Sequence, residues 1–119
     1  MSWLRVSIVG AILGGCAADP ADRPAKWSYL HAAIIAPNCA TSSCHSSLAA
    51  TAGVVLDDPD VAYKTLTDPK RNYVIPGDPG GTLVLLLEGD ERPRMPPDSP
   101  LPQADIDLVI AWIDAGAPK

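Results

Sequence analysis

The chain has 119 residues, enough for one small domain. Its formal net charge is −5, a sign that argues against the basic faces with which proteins hold nucleic acid. There is no Phe, with three Trp and three Tyr against 13 Pro. A core so poor in large rings is expected to be thin and to need a staple.

Residues 1–15 read as a signal peptide. Met1-Ser2-Trp3-Leu4-Arg5 is a short positive region, and Val6 to Leu13 is apolar. That run is shorter than the roughly 20 residues that span a bilayer. Leu13-Gly14-Gly15-Cys16 resembles the lipobox of bacterial lipoproteins, in which the Cys becomes the lipidated first residue. On that reading Cys16 anchors the protein in the cell envelope. Ala17 next to it, in place of Asp, favours the outer membrane, facing the periplasm. An ordinary secretory signal cut nearby, with Cys16 a passenger, is the alternative. Loss of Arg5 leaves the exported chain one charge more negative. Export also places the thiols in an oxidising compartment.

Residues 16–26 are expected to form a tether and residues 27–119 the domain. Trp27, Leu30 and Ile34 mark one helical face over Trp27 to Ala36. Pro37 should end that helix. Ser46 to Asp58 is small and irregular and reads as a loop. Pro59 should open a short helix over Asp60 to Thr67, closed by Pro69. Lys70 to Gly81 is a turn-rich crossing. Thr82 can cap a helix from Leu83 to Glu88 with Gly89 past its end, although a buried strand fits the same apolar run. Asp90 to Pro102 holds five prolines and reads as rigid extended chain. Gln103 to Ala115 is the clearest helix, with Ile106, Val109, Ile110 and Ile113 on one face. The first and last helices each carry a Trp and an aliphatic stripe, and should pack together.

The chemistry concentrates at Cys39-Ala40-Thr41-Ser42-Ser43-Cys44-His45. Covalent haem attachment needs two thiols for two vinyl groups and a His under the iron. The usual signal is C-x-x-C-H; here Cys44-His45 keeps the essential pair, and Cys39 stands two residues further back. Met95 is the one methionine besides Met1 and is flanked by Arg94 and Pro96-Pro97. It is the candidate second axial ligand opposite His45, with His31 a distant rival. His/Met ligation leaves the iron no open position, which suits electron transfer over turnover. Three other readings compete: a zinc site drawing on Cys39, Cys44, His45 and His31, a Cys39–Cys44 disulfide with His45 incidental, and Cys44 as a nucleophile beside His45.

Four blocks in order resemble a known family: Cys39…Cys44-His45, Val74-Ile75-Pro76-Gly77-Asp78-Pro79, Met95-Pro96-Pro97, and Ile106…Ile110-Ala111-Trp112-Ile113-Asp114-Ala115-Gly116-Ala117. Together they are similar to the small single-haem cytochrome c domains of exported and lipid-anchored bacterial proteins. The resemblance spans about residues 27 to 117. It implies an all-α cytochrome c fold of three to five short helices, its first and last helices crossed, around one covalent haem c. It also implies Cys39 and Cys44 as attachment points, His45 and Met95 as iron ligands, and redox proteins of the envelope as partners. The family carries electrons, so no enzymatic turnover is expected. The chain departs from the pattern in its four-residue cysteine spacing and in Pro102, where a Ser or Thr usually caps the last helix. A haem-free lipoprotein with a Cys39–Cys44 disulfide, acting as a binding or structural module, is the alternative function. A haem sensor or oxidase-type domain in which Met95 leaves is a third.

Overall fold

A computed structural model describes residues 22–119. The signal segment, Cys16 and the start of the tether lie outside the described residues. Five α-helices follow: α1 (Trp27–Leu30), α2 (Ala36–Cys39), α3 (Pro59–Thr67), α4 (Thr82–Glu88) and α5 (Gln103–Asp114). A π-helical turn, His31–Ile35, joins α1 to α2 without a break, so residues 27–39 form one rod. Among the described residues there is no strand, only an isolated bridge between Ile75 and Asp78. The described chain is therefore helical without strands, compatible with the all-α class that the resemblance implies. No helix among the described residues is long and apolar enough to cross a membrane.

The first helix does not end at Pro37. A proline lacks an N–H and crowds the carbonyl four residues back, so it should stop a regular α-helix. Here the rod widens just before it. The Ala36 N–H reaches back five residues to the His31 carbonyl. Pro37 then falls in the first turn of α2, where a missing donor does no harm. Asn38 Nδ2 donates to the Ile34 carbonyl at 2.8 Å, adding a side-chain bond across the junction. Cys39 is thereby the last residue of the rod instead of the first of a loop.

The other boundaries follow local chemistry with two substitutions of role. Asp58 caps α3, its carboxylate accepting from the Asp60 and Val61 N–H groups at 2.9 Å each. Residues 82–88 form a helix, not a strand, but Thr82 is its first residue and Gly81 its cap. A Cβ at position 81 would fall on the Tyr73 carbonyl, the same oxygen that accepts from the Leu83 N–H at 2.9 Å. Gly89 ends α4 in the left-handed region, φ 81°, where glycine carries no steric penalty. Residues 90–102 form no regular element.

Three of the few rings are gathered in one place. Trp27 and Trp112 have ring centroids 5.3 Å apart, and Tyr63 stands edge-on to both, at 5.5 and 6.3 Å. Every polar edge is satisfied. Trp27 Nε1–H donates to the Pro59 carbonyl, Trp112 Nε1–H to Pro118 and the Tyr63 hydroxyl to Ala117. The first and last helices thus pack through their tryptophans, and Leu30, Ile34, Ile106, Val109 and Ile113 fill the core with them. Order reaches back into the expected tether as well. Arg23 pairs with Asp105 in the first turn of α5, and Ala25 packs on the core.

Candidate functional site

The four residues between the cysteines fold back on themselves. The Cys44 N–H donates to the Thr41 carbonyl and the His45 N–H to the Cys39 carbonyl, each at 3.0 Å. With the loop closed in this way, both cysteines border one cavity of about 250 Å³, together with His45, Met95, Pro96 and Pro97. A second cavity of about 210 Å³ has an apolar wall of Val54, Leu56, Leu66, Leu83, Leu86, Leu87 and Tyr73. Cys39, His45 and Met95 border both. All four residues singled out in the sequence are therefore brought together. The two cavities jointly exceed the roughly 300 Å³ at which small-molecule sites begin.

His45 is held at three points. Its N–H is on Cys39, its carbonyl accepts from the Leu56 N–H at 2.7 Å, and its Nδ1 lies 3.1 Å from the Thr51 carbonyl. A carbonyl only accepts, so Nδ1 carries a proton, and in the neutral ring Nε2 is the nitrogen with the lone pair. A carbonyl behind the ring is how metal-binding imidazoles are oriented. The sequence named His45 but gave no sign of Thr51, because the bond is to backbone.

Met95 is placed by α4. Its N–H donates to the Leu86 carbonyl at 3.0 Å, so the segment 93–97 is fastened to the same helix whose Leu83, Leu86 and Leu87 wall the cavity. The apolar run of residues 83–87 was visible in the sequence, but its part in the site was not.

His31 proves to be a packing residue. It is buried, its ring lies 5.6 Å from that of Trp27, and Nε2 is 2.9 Å from the Leu56 carbonyl, to which it must donate. The same Leu56 grips His45 through its N–H, so His31 supports the site from behind. Among the described residues no group of three or more His, Cys, Asp or Glu is arranged to hold a metal ion, so the zinc reading finds no ligand set. Nor does His45 hydrogen-bond Cys44 as a base would: its Nδ1 is on Thr51, and the hydrogen-bond partner of the Cys44 sulfur is the Ser43 hydroxyl, at 3.9 Å.

The loop that carries His45 is stapled by Asp57. One carboxylate oxygen accepts from both the N–H and the hydroxyl of Ser47, each at 2.7 Å. Those bonds, the backbone one foremost, hold the Asp57 carboxyl below the usual carboxylate range. Its contribution to stability is present above the unfolded value near 3.9 and fades as pH falls through the lowered folded value. Acidification below about pH 4 is therefore expected to speed amide exchange at residues 46–51 before the core opens. Asp57→Asn should flatten that acid dependence; an unchanged acid response would assign it to another group.

Cys39 has the opposite bias. Burial, and to a lesser degree the nearby Cys44 thiol, push its pKa up to about 11. The fold therefore favours the neutral thiol. That preference is fully present below the unfolded value near 8.5 and is lost as pH rises toward 11. In the haem-free chain, Cys39 is expected to resist iodoacetamide at pH 8.5 and to react readily once the chain is unfolded in urea. Equal rates in the two states, read by mass spectrometry of the peptide, would mean that the fold does not shield the half-buried Cys39.

No family model, curated protein or solved structure matches the chain. The functional reading rests on the residues and their geometry.

Proposed function

We propose that the chain is a lipid-anchored, single-haem c-type cytochrome that passes single electrons in the bacterial cell envelope. The observation that carries the reading is the donor set around two cavities that share Cys39, His45 and Met95: two thiols, an imidazole, and the one methionine of the described residues. Cys39 and Cys44 would each add their S–H across a vinyl group, sulfur to one carbon and hydrogen to the other, so that nothing leaves. His45 and Met95 would be the axial ligands. The bound haem would supply a one-electron iron couple, and a His/Met pair favours a relatively high potential.

The protein's own part is enclosure and orientation. Val54, Leu56, Leu66 and the α4 leucines would exclude water from the ring faces. Thr51 would fix the tautomer and direction of His45. The loop closed by the Cys39–His45 backbone bond supports attachment at both cysteines despite their spacing. Cys16 would carry the lipid, and the partners would be redox proteins of the envelope, with the acidic chain meeting no nucleic acid.

The deciding test is a denaturing gel stained for haem, run on the full chain expressed with a c-type maturation system. Covalent stain at the size of this chain is the expected result. Absence of stain, with a Cys39–Cys44 disulfide found by mass, would turn the reading to a haem-free envelope module. Cys39→Ala and Cys44→Ala, stained in the same way, report which thioethers form.

A further inference from the structure

Arg94 stands next to the proposed ligand but does not border either cavity. Its side chain turns the other way, onto the end of α4. Nη2 donates to the Glu88 carbonyl at 2.9 Å, and the guanidinium lies against Gly89, so closely that a Cβ there would displace it. Gly89 itself is required by its left-handed φ of 81°. The last carbonyls of a helix lack partners within the helix and carry its negative end, which a cation stabilises. Here the segment after α4 takes them up. The Asp90 and Glu91 N–H groups share the Leu85 carbonyl, the Met95 N–H takes Leu86, and Arg94 takes Glu88.

We propose that Arg94 is the positioning residue for Met95. Its guanidinium latches residues 93–95 to the C-terminal cap of α4, and so fixes where the thioether stands relative to the leucine wall on the same helix. The neighbouring Met95 N–H···Leu86 bond is the second point of the latch. The ligand role of Met95 rests on the haem reading, but the latch itself does not.

Two measurements on Arg94→Met, which keeps the apolar stem and loses the donors, separate these ideas. In the haem-free chain, the Met95 amide should exchange on the order of tenfold faster, in proportion to the loss of a charged hydrogen bond, while the Leu30 and Ile34 amides keep their rates. In the haem-loaded chain, covalent haem should remain, affinity for added imidazole should rise on the order of tenfold, and the far-red band of sulfur-ligated ferric haem should weaken. Arg94→Lys, which keeps the charge and can still reach one carbonyl, should fall between. Unchanged Met95 exchange in a folded Arg94→Met chain would overturn the latch, and so would faster exchange shared equally by the core amides. If Arg94→Met does not fold, Arg94→Lys decides by the same Met95-to-core comparison. Absence of haem would refute the functional reading and leave the exchange result to decide the latch.

Discussion

Replacing Trp112 by alanine is expected to cost about 3–5 kcal/mol of folding stability, the range for a buried tryptophan. The ring is 1% exposed and is the largest of the fully buried side chains. It packs against Trp27 and Tyr63 together, and its Nε1–H satisfies the Pro118 carbonyl. Its removal leaves a cavity where the first rod, α3 and α5 converge. A domain of this size holds about 5–15 kcal/mol in all, so the loss should lower the melting temperature by on the order of 20 °C. Urea unfolding followed by circular dichroism measures it directly. A loss under about 1 kcal/mol would mean that the two terminal helices do not depend on this contact. Trp112→Phe should cost less than the alanine change, because it keeps most of the volume and gives up chiefly the donor.

If the chain carries covalent haem as proposed, Met95→Ala should leave it attached and open the iron to an added ligand. The thioether is the only methionine sulfur in the described chain, and it borders both cavities. His31, the other ring that could compete, is committed to Leu56 and buried against Trp27. Affinity for added imidazole should therefore rise at least about tenfold, equivalent to about 1.4 kcal/mol. The reduction potential should fall, since a thioether ligand raises it. Titration of the haem spectrum with imidazole checks the first point and electrochemistry the second. Haem that excludes imidazole as well in the variant as in the parent would remove Met95 from the ligand set.

How much of this was legible in the sequence depends on how far each contact reaches. The stripes Trp27-Leu30-Ile34 and Ile106-Val109-Ile113 gave the terminal helices and their pairing, because a period of 3.6 needs only its own segment. The grouping of Cys39, Cys44, His45 and Met95 was legible from the Cys-Cys-His motif, from Met95 being the one methionine besides Met1, and from the order of the blocks. Pro37 misled because the rule that proline stops a helix assumes α-helical bonding, and the chain changed the bonding instead. Thr82 looked like a cap because its type is right; Gly81 took the position because of the Tyr73 carbonyl, which no local pattern encodes. Asp58 before Pro59 was a readable cap that the proline overshadowed. Thr51, Leu56 and Glu88 act through their carbonyls, and a backbone oxygen has no signature in the sequence. The supports of the site were therefore hidden even where its donors were plain.

The π turn of residues 31–35 ties two parts of the chain into a single mutational unit. Such a turn holds one residue more than an α-helix would, and each residue advances an α-helix by roughly 100°. Deleting one residue between 32 and 36 would restore regular winding and keep the direction of Cys39, but would press Pro37 against the carbonyl behind it. Replacing Pro37 alone would remove the reason for the widening and let the rod rewind with the sulfur aimed elsewhere. Neither change is neutral without the other, so the two sites should behave non-additively in a double-mutant cycle. The aim of one sulfur is thus set by a proline two residues before it and by an extra residue wound in a turn earlier.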